Sequence, residues 1–200
     1  MISRFVLILA FLISLCVPTL ANAEDGTPFT MISLLYGEVS LSQTYWAPVD
    51  KQTMIGMMID YNPGNWPVNF LGWASSSSKS AGGMVYYPRF GNAYTTVDAK
   101  ITELSIGARK YLMDTGMVRP YVSAGLSSIS AELSASAGGG SVSDNTSSIG
   151  YFGNGGVFFL IDRFSVGLDL KILTGTSIKL YGVSGDANYN RWSIIGGISF

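Results

Sequence analysis

Few residues of this chain are equipped for catalysis. Histidine is absent from all 200 positions, and cysteine occurs once, at Cys16. The usual ligands for zinc or copper are therefore missing, as is a thiol nucleophile, so neither a metal nor a cofactor is expected. Two short patterns fit serine acyl-enzyme chemistry: Ser76-Ser-Ser-Lys79 matches S-x-x-K, and Ser143-Asp144-Asn145 matches S-D-N. The K-T-G motif that completes the set is missing, and the first serine should open a helix rather than end a run of four serines. Both matches read as chance in a serine-rich chain. Asn145-Thr-Ser147 matches a glycosylation sequon, a short pattern that carries little weight by itself, and the sequence singles out no carboxylate pair for acid and base work.

The charges that remain sit inside alternating segments. From Phe164 onward, Phe164, Val166, Leu168, Leu170 and Ile172 take one face, while Ser165, Gly167, Asp169 and Lys171 take the other. Period two is the mark of a strand with two different faces. The same reading predicts strands over residues 29–45, 54–61, 68–78, 100–112, 118–132, 148–161, 164–176 and 189–200, eight in all. Short connections at 62–67, 113–117 and 162–163 alternate with longer ones at 80–99, 133–147 and 177–188, while the loop at 46–53 is short for its class. Short turns on one rim and long loops on the other predict an all-β fold, an eight-stranded antiparallel transmembrane β-barrel in an up-and-down meander.

In such a barrel Lys or Arg on the lipid face at mid-membrane costs roughly 2–4 kcal/mol. Strand charges should therefore point inward. By alternation Glu38, Glu103, Arg109, Arg119, Asp169 and Lys171 form an expected lumen network of ion pairs, because eight strands leave an interior only wide enough for side chains. Tyr45, Trp46, Tyr61, Trp66, Tyr111, Tyr189 and Trp192 lie near strand ends and are expected to form the headgroup girdles.

The first residues add the export route. Arg4 precedes an apolar run from Phe5 to Leu20, followed by Ala21-Asn22-Ala23, the pattern of a cleavable signal peptide. The expected organisation is a signal peptide at 1–23, which takes Cys16 with it, and a barrel domain at 24–200. Losing Arg4 leaves 11 of the 12 basic residues against 13 acidic ones, which gives no electrostatic footprint for nucleic acid. Charged residues are 12% of the chain, half the ordinary share.

Trp66-Pro-Val-Asn-Phe-Leu-Gly-Trp73, Arg119-Pro-Tyr-Val-Ser-Ala-Gly-Leu126 and the closing Trp192-Ser-Ile-Ile-Gly-Gly-Ile-Ser-Phe200 resemble the small OmpX, Ail and OmpA-type barrels. The resemblance implies a Gram-negative outer-membrane location, lipid as the surrounding partner, and a terminal assembly signal read through Phe200 and Ile198 by the barrel-assembly machinery. Outer-membrane barrel enzymes resemble one another in using a histidine, which this chain lacks. A non-enzymatic role through the extracellular loops follows, in envelope integrity or in contact with a host or cell-surface ligand. Tyr86, Tyr87, Arg89, Tyr94, Lys179 and Tyr181 are the loop residues of interface-favoured type. The alternative is a narrow channel for small or hydrophobic solutes. A soluble ligand carrier would need an apolar interior, and the mixed inward charge argues against it.

Overall fold

The computed structural model describes residues 29–43, 46–64, 66–87, 91–113, 116–137 and 140–200. The expected signal peptide lies outside them. Eight strands close into a barrel: β1 (Phe29–Leu41), β2 (Lys51–Asn62), β3 (Asn69–Tyr87), β4 (Gly91–Tyr111), β5 (Val118–Ala137), β6 (Gly140–Ile161), β7 (Phe164–Thr174) and β10 (Tyr189–Ser199). Each pairs antiparallel with its neighbours in chain order, and β1 closes on β10 from Met31↔Ser199 to Leu41↔Tyr189. A two-stranded hairpin, β8 (Ile178–Leu180) and β9 (Val183–Gly185), lies between β7 and β10.

The period-two pattern sets which way each side chain points. In β7, Val166, Leu168, Leu170 and Ile172 are 53–67% exposed, whereas Asp169 and Lys171 are each 1% exposed. Leu104, Ile106, Val122, Leu126, Ile149 and Ile194 continue the same exposed apolar belt around the barrel. A closed sheet that turns its aliphatic side chains outward and its charges inward is inside out for water and correct for lipid.

The strands are unequal. β1, β2, β7 and β10 have 11–13 residues, the number that crosses a bilayer at a tilt, while β3 to β6 have 19–22. β2 stops pairing with β3 at Thr53↔Ser78, and β7 stops pairing with β6 at Tyr151↔Thr174. Beyond those points β3–β4 and β5–β6 continue as paired hairpins, so much of the expected long loops at 80–99 and 133–147 is sheet. The reason lies in the sequence: Val97, Ala99, Ala131, Leu133 and Ala135 keep the alternation going past the rim, with serine, threonine or charge between them.

Candidate functional site

Alternation in β2, β4, β7 and β10 aims three carboxylates and three cations into the lumen. Nearest the short-turn rim, Arg109 of β4 reaches Asp60 of β2, Nη1 to Oδ2 at 2.9 Å, with both side chains fully buried. Tyr111 donates to the same Oδ2 at 2.8 Å, and Arg109 Nε donates to Ser123 at 3.1 Å. The guanidinium lies 4.0 Å from the Tyr121 ring centroid, over a ring stacked on Phe158 at 5.0 Å.

Asp169 of β7 accepts from the Tyr121 hydroxyl at 2.8 Å, from Asn154 Nδ2 at 2.5 Å and from Arg191 Nη2 of β10 at 2.5 Å. Glu103 of β4 then takes Lys171 of β7 as its ion-pair partner. It also accepts from Tyr189 at 2.5 Å, Ser105 at 2.8 Å and Ser75 at 3.3 Å. Lys171 Nζ lies 3.4 Å from the Trp73 ring centroid, and Trp73 stacks on Phe152 at 5.1 Å.

These bonds run across the barrel, not only along its wall: β4 reaches β2, β7 and β10, and Trp73 of β3 meets cations from β7 and β10. Opposite charges in a space with little water must pair, because a buried unpaired charge carries its full desolvation cost. Glycines make the room the large side chains need. A Cβ on Gly125 would stand 2.8 Å from the Phe152 ring, and one on Gly156 would stand 2.5 Å from the Tyr121 hydroxyl.

Above the network the projecting end is capped by an apolar cluster. Trp46, Val49, Leu41, Met54, Ile101, Ile129, Ile178, Leu180 and Ala187 are all buried. Trp46 Nε1 donates to the Asp186 carbonyl at 3.1 Å, which ties the β1–β2 loop to the segment before β10, and Ala187 N donates to Thr176 Oγ1 at 2.9 Å within that segment.

Glu103, Arg109, Asp169 and Lys171 therefore meet in the lumen, but two expected members do not. Glu38 lies on the outward face of β1, between the inward Gly37 and Val39 and beside Trp192. In β1 both faces carry apolar residues, so placing a charge opposite the apolar side has no unique answer there. Its position near the projecting end also lowers the cost of a lipid-side charge. Arg119 faces inward, but only two residues into β5 at the short-turn rim, where it forms no ion pair with a described residue. Asp60 and Arg191 complete the network without having been singled out. Parity would have found Arg191, two residues from Tyr189 on the face opposite Trp192. Asp60 was hidden because its face is built of methionines, Met54 and Met58, which look apolar and point inward.

The girdle expectation needs a similar correction. Tyr61, Trp66 and Trp192 are exposed on the outside, joined by Tyr36, Phe70, Tyr151, Phe159 and Phe164. Tyr111, Tyr189 and Trp46 instead turn inward as hydrogen-bond donors or cap residues. Tyr45 lies outside the described residues.

Of the loop candidates, Lys179 is exposed on β8. Tyr181 bridges to the projection, its hydroxyl placed to donate its one hydrogen to the carbonyl of Leu133 at 2.8 Å or of Val142 at 3.1 Å. Tyr86, Tyr87 and Tyr94 lie on the paired backbone of the β3–β4 hairpin, and Arg89 falls outside the described residues. Phe200 exchanges backbone bonds with Thr30 at 2.8 and 3.3 Å, and Ile198 pairs with Ile32 and Phe164. Ser76 and Ser143 stand on strands separated by β4 and β5, which leaves the two acyl-enzyme patterns apart.

An antiparallel eight-stranded barrel with aliphatic side chains outside and ion pairs inside has the fold of the small outer-membrane barrels. No family model matches the chain, and no curated protein matches it in sequence. Solved structures do. The attachment invasion locus protein Ail of Yersinia pestis, solved in complex with the heparin analogue sucrose octasulfate, superimposes with a TM-score of 0.54 at 15% identity. That match covers 88% of this chain and 100% of Ail. Neisserial surface protein A gives 0.55 at 15% identity with the same coverage. The N-terminal β-barrel domain of Pseudomonas aeruginosa OprF gives 0.50 at 16% identity, also over 88% of this chain and 100% of that one.

Proposed function

We propose that this chain is a non-enzymatic outer-membrane protein of a Gram-negative bacterium, exported behind a signal peptide at residues 1–23, that acts through the extracellular projection of β3–β6. In this reading the chain ends and short turns face the periplasm, and Phe200 and Ile198 belong to the strand the barrel-assembly machinery reads. The observation that carries it is the contrast between the two ends. A cross-linked lumen capped by Trp46 leaves little for solutes, while about nine residues per strand beyond the rim, at ~3.4 Å each, give roughly 30 Å of sheet outside the bilayer. From the rim outward its outer face carries Ser78 and Ser80 on β3, Lys100, Asp98 and Thr96 on β4, and Glu132, Ser134 and Ser136 on β5. Such a surface of hydroxyls and mixed charge suits a neutral or mixed-charge partner, whether on a host cell or another bacterium, better than a dense polyanion.

The test compares cells carrying the wild-type chain with cells in which both hairpins are cut back to Ser78–Lys100 and Glu132–Asn145. Loss of surface adhesion, with the folded, heat-modifiable band retained in the outer-membrane fraction, supports the proposal. Equal adhesion by both removes the recognition role, and recovery in the soluble periplasm removes the barrel assignment itself. A narrow water or proton path is the second reading. It is favoured by lumen atoms without a partner among the described residues, Arg191 Nε and Nη1, Trp73 Nε1, Asn154 Oδ1 and Ser193 Oγ, which are the kind of groups water satisfies. Steady single-channel conductance in planar bilayers would support it, and silence would favour the filled barrel.

A further inference from the structure

At the short-turn rim, below the Arg109–Asp60 pair, lies a cavity of about 300 Å³ lined by Phe29, Asn62, Trp66, Asn69, Lys110 and Arg119 among others. Its polar lining is rich in donors. Arg119 makes no hydrogen bond or ion pair with a described residue, and its Nε is buried without a partner. Asn69 spends its amide oxygen on Asn62 Nδ2 at 2.8 Å, and its own Nδ2 has no acceptor among the described residues. Lys110 gives one hydrogen to the Pro67 carbonyl at 2.9 Å and has two more to offer. Among the described residues the lining contains no carboxylate; Asp60 above it gives its Oδ2 to Arg109 and Tyr111, and its Oδ1 is buried without a described partner.

We propose that this cavity binds a phosphate group. Among the described residues the three interior acids of the network are matched by three cations, and Arg119 has no ion-pair partner there. An arginine fork with two further donors on other side chains suits an oxyanion with three or four oxygens better than a two-oxygen carboxylate. The volume is at the small end for ligand sites. It admits a headgroup, not a whole lipid. The position is also apt, because Trp66 and Phe70 form an exposed aromatic pair on the outside of the same rim, 5.2 Å between centroids, at the level where headgroups sit. The phosphate is supplied either by a phospholipid of the surrounding leaflet or by free phosphate in the compartment below. The proposal rests on the membrane-barrel reading and on its assignment of this rim to the periplasm.

The experiment uses the purified, refolded barrel in a maltoside detergent, which contains no phosphate. Inorganic phosphate and a short-chain phosphatidylglycerol are titrated separately and followed by calorimetry. Saturable binding that weakens at least tenfold in Arg119→Gln, and stays unchanged in Lys79→Gln, supports the site. Binding of the lipid alone assigns it to a headgroup, and binding of both assigns it to the phosphate itself. No saturable binding of either probe, or equal affinity in wild type and Arg119→Gln, overturns it. If Arg119→Gln loses its heat-modifiable mobility, Lys110→Gln at the exposed edge carries the same comparison, and unchanged affinity there also overturns the proposal. Because the measurement uses isolated protein, its failure is separate from that of the outer-membrane reading, which cell fractionation decides.

Discussion

Replacing Lys171 with methionine removes the ammonium and keeps most of the side-chain volume, so the packing against Trp73 and Phe152 is largely preserved. Glu103 is then left with the hydroxyls of Tyr189, Ser75 and Ser105 and no cation in direct contact. Breaking one side of a buried pair costs ~3–5 kcal/mol, and the Lys171 side chain is fully buried, so solvent screening gives little relief. With a urea dependence of about 2–3 kcal/mol per molar, the unfolding midpoint of the refolded barrel should fall by about 1–2.5 M. Arg109→Met should act similarly, since it strands Asp60 with Tyr111 as its donor. Lys79→Met and Lys179→Met change charges outside the network and should stay within ~0.5 kcal/mol. The double variant Lys171→Met/Glu103→Gln should recover much of the loss, because removing both charges leaves no unpaired one. Equal midpoints for all four single variants would refute the reasoning: the interior charges would then be hydrated, and the filled lumen would give way to a water-filled pore.

Probes attached to cysteines at Val166, Leu168 or Leu170 should be dimmed by a quencher carried in the acyl chains and spared by a water-soluble one; the reverse would invert the inside and outside faces. Gly125→Val should fail to regain the heat-modifiable band on refolding, because its side chain would occupy the space of the Phe152 ring, whereas Gly196→Val, with nothing within 4 Å of its Cβ, should refold normally. Trp46→Ala should destabilise the barrel by ~3–5 kcal/mol, as loss of a fully buried aromatic does, and should make the projecting end more accessible to protease. A midpoint matching wild type would mean the cap contributes no stability.

The barrel was legible because its physics is local. One strand, 164–174, shows two faces of opposite character, and the alternation of short and long connections repeats that information at the scale of the whole chain. The length of β3–β6 was not legible. A strand leaving the bilayer keeps its period but exchanges lipid-facing aliphatics for serine and threonine, and small hydroxyl residues with glycine between them look the same as loop. Pairing shows the difference, since Lys79↔Ala99 and Leu133↔Asp144 are ladder partners as regular as any in the membrane. Pairing is a relation between distant residues that composition does not carry.

The lumen network shows where alternation stops being enough. Parity assigns a face only when one face is clearly apolar, which held for β7 and failed for β1, where Met31 and Leu35 inside mirror Leu34 and Tyr36 outside. It also assigns a face without assigning a height. Arg119 and Arg109 are both inward, yet one lies at the rim and the other within the plug, because β5 has just begun at Arg119 while β4 is about to end at Arg109. Height decides partner: Arg109 meets Asp60 coming up β2, and Arg119 meets the rim cavity. A count of inward charges that ignores height would pair Arg119 with a carboxylate and conclude that the interior is closed. Placed at its height, Arg119 is the cation left over from the balanced set of described charges, and an inward charge unmatched among the described residues is the physical reason to look for a ligand at that end.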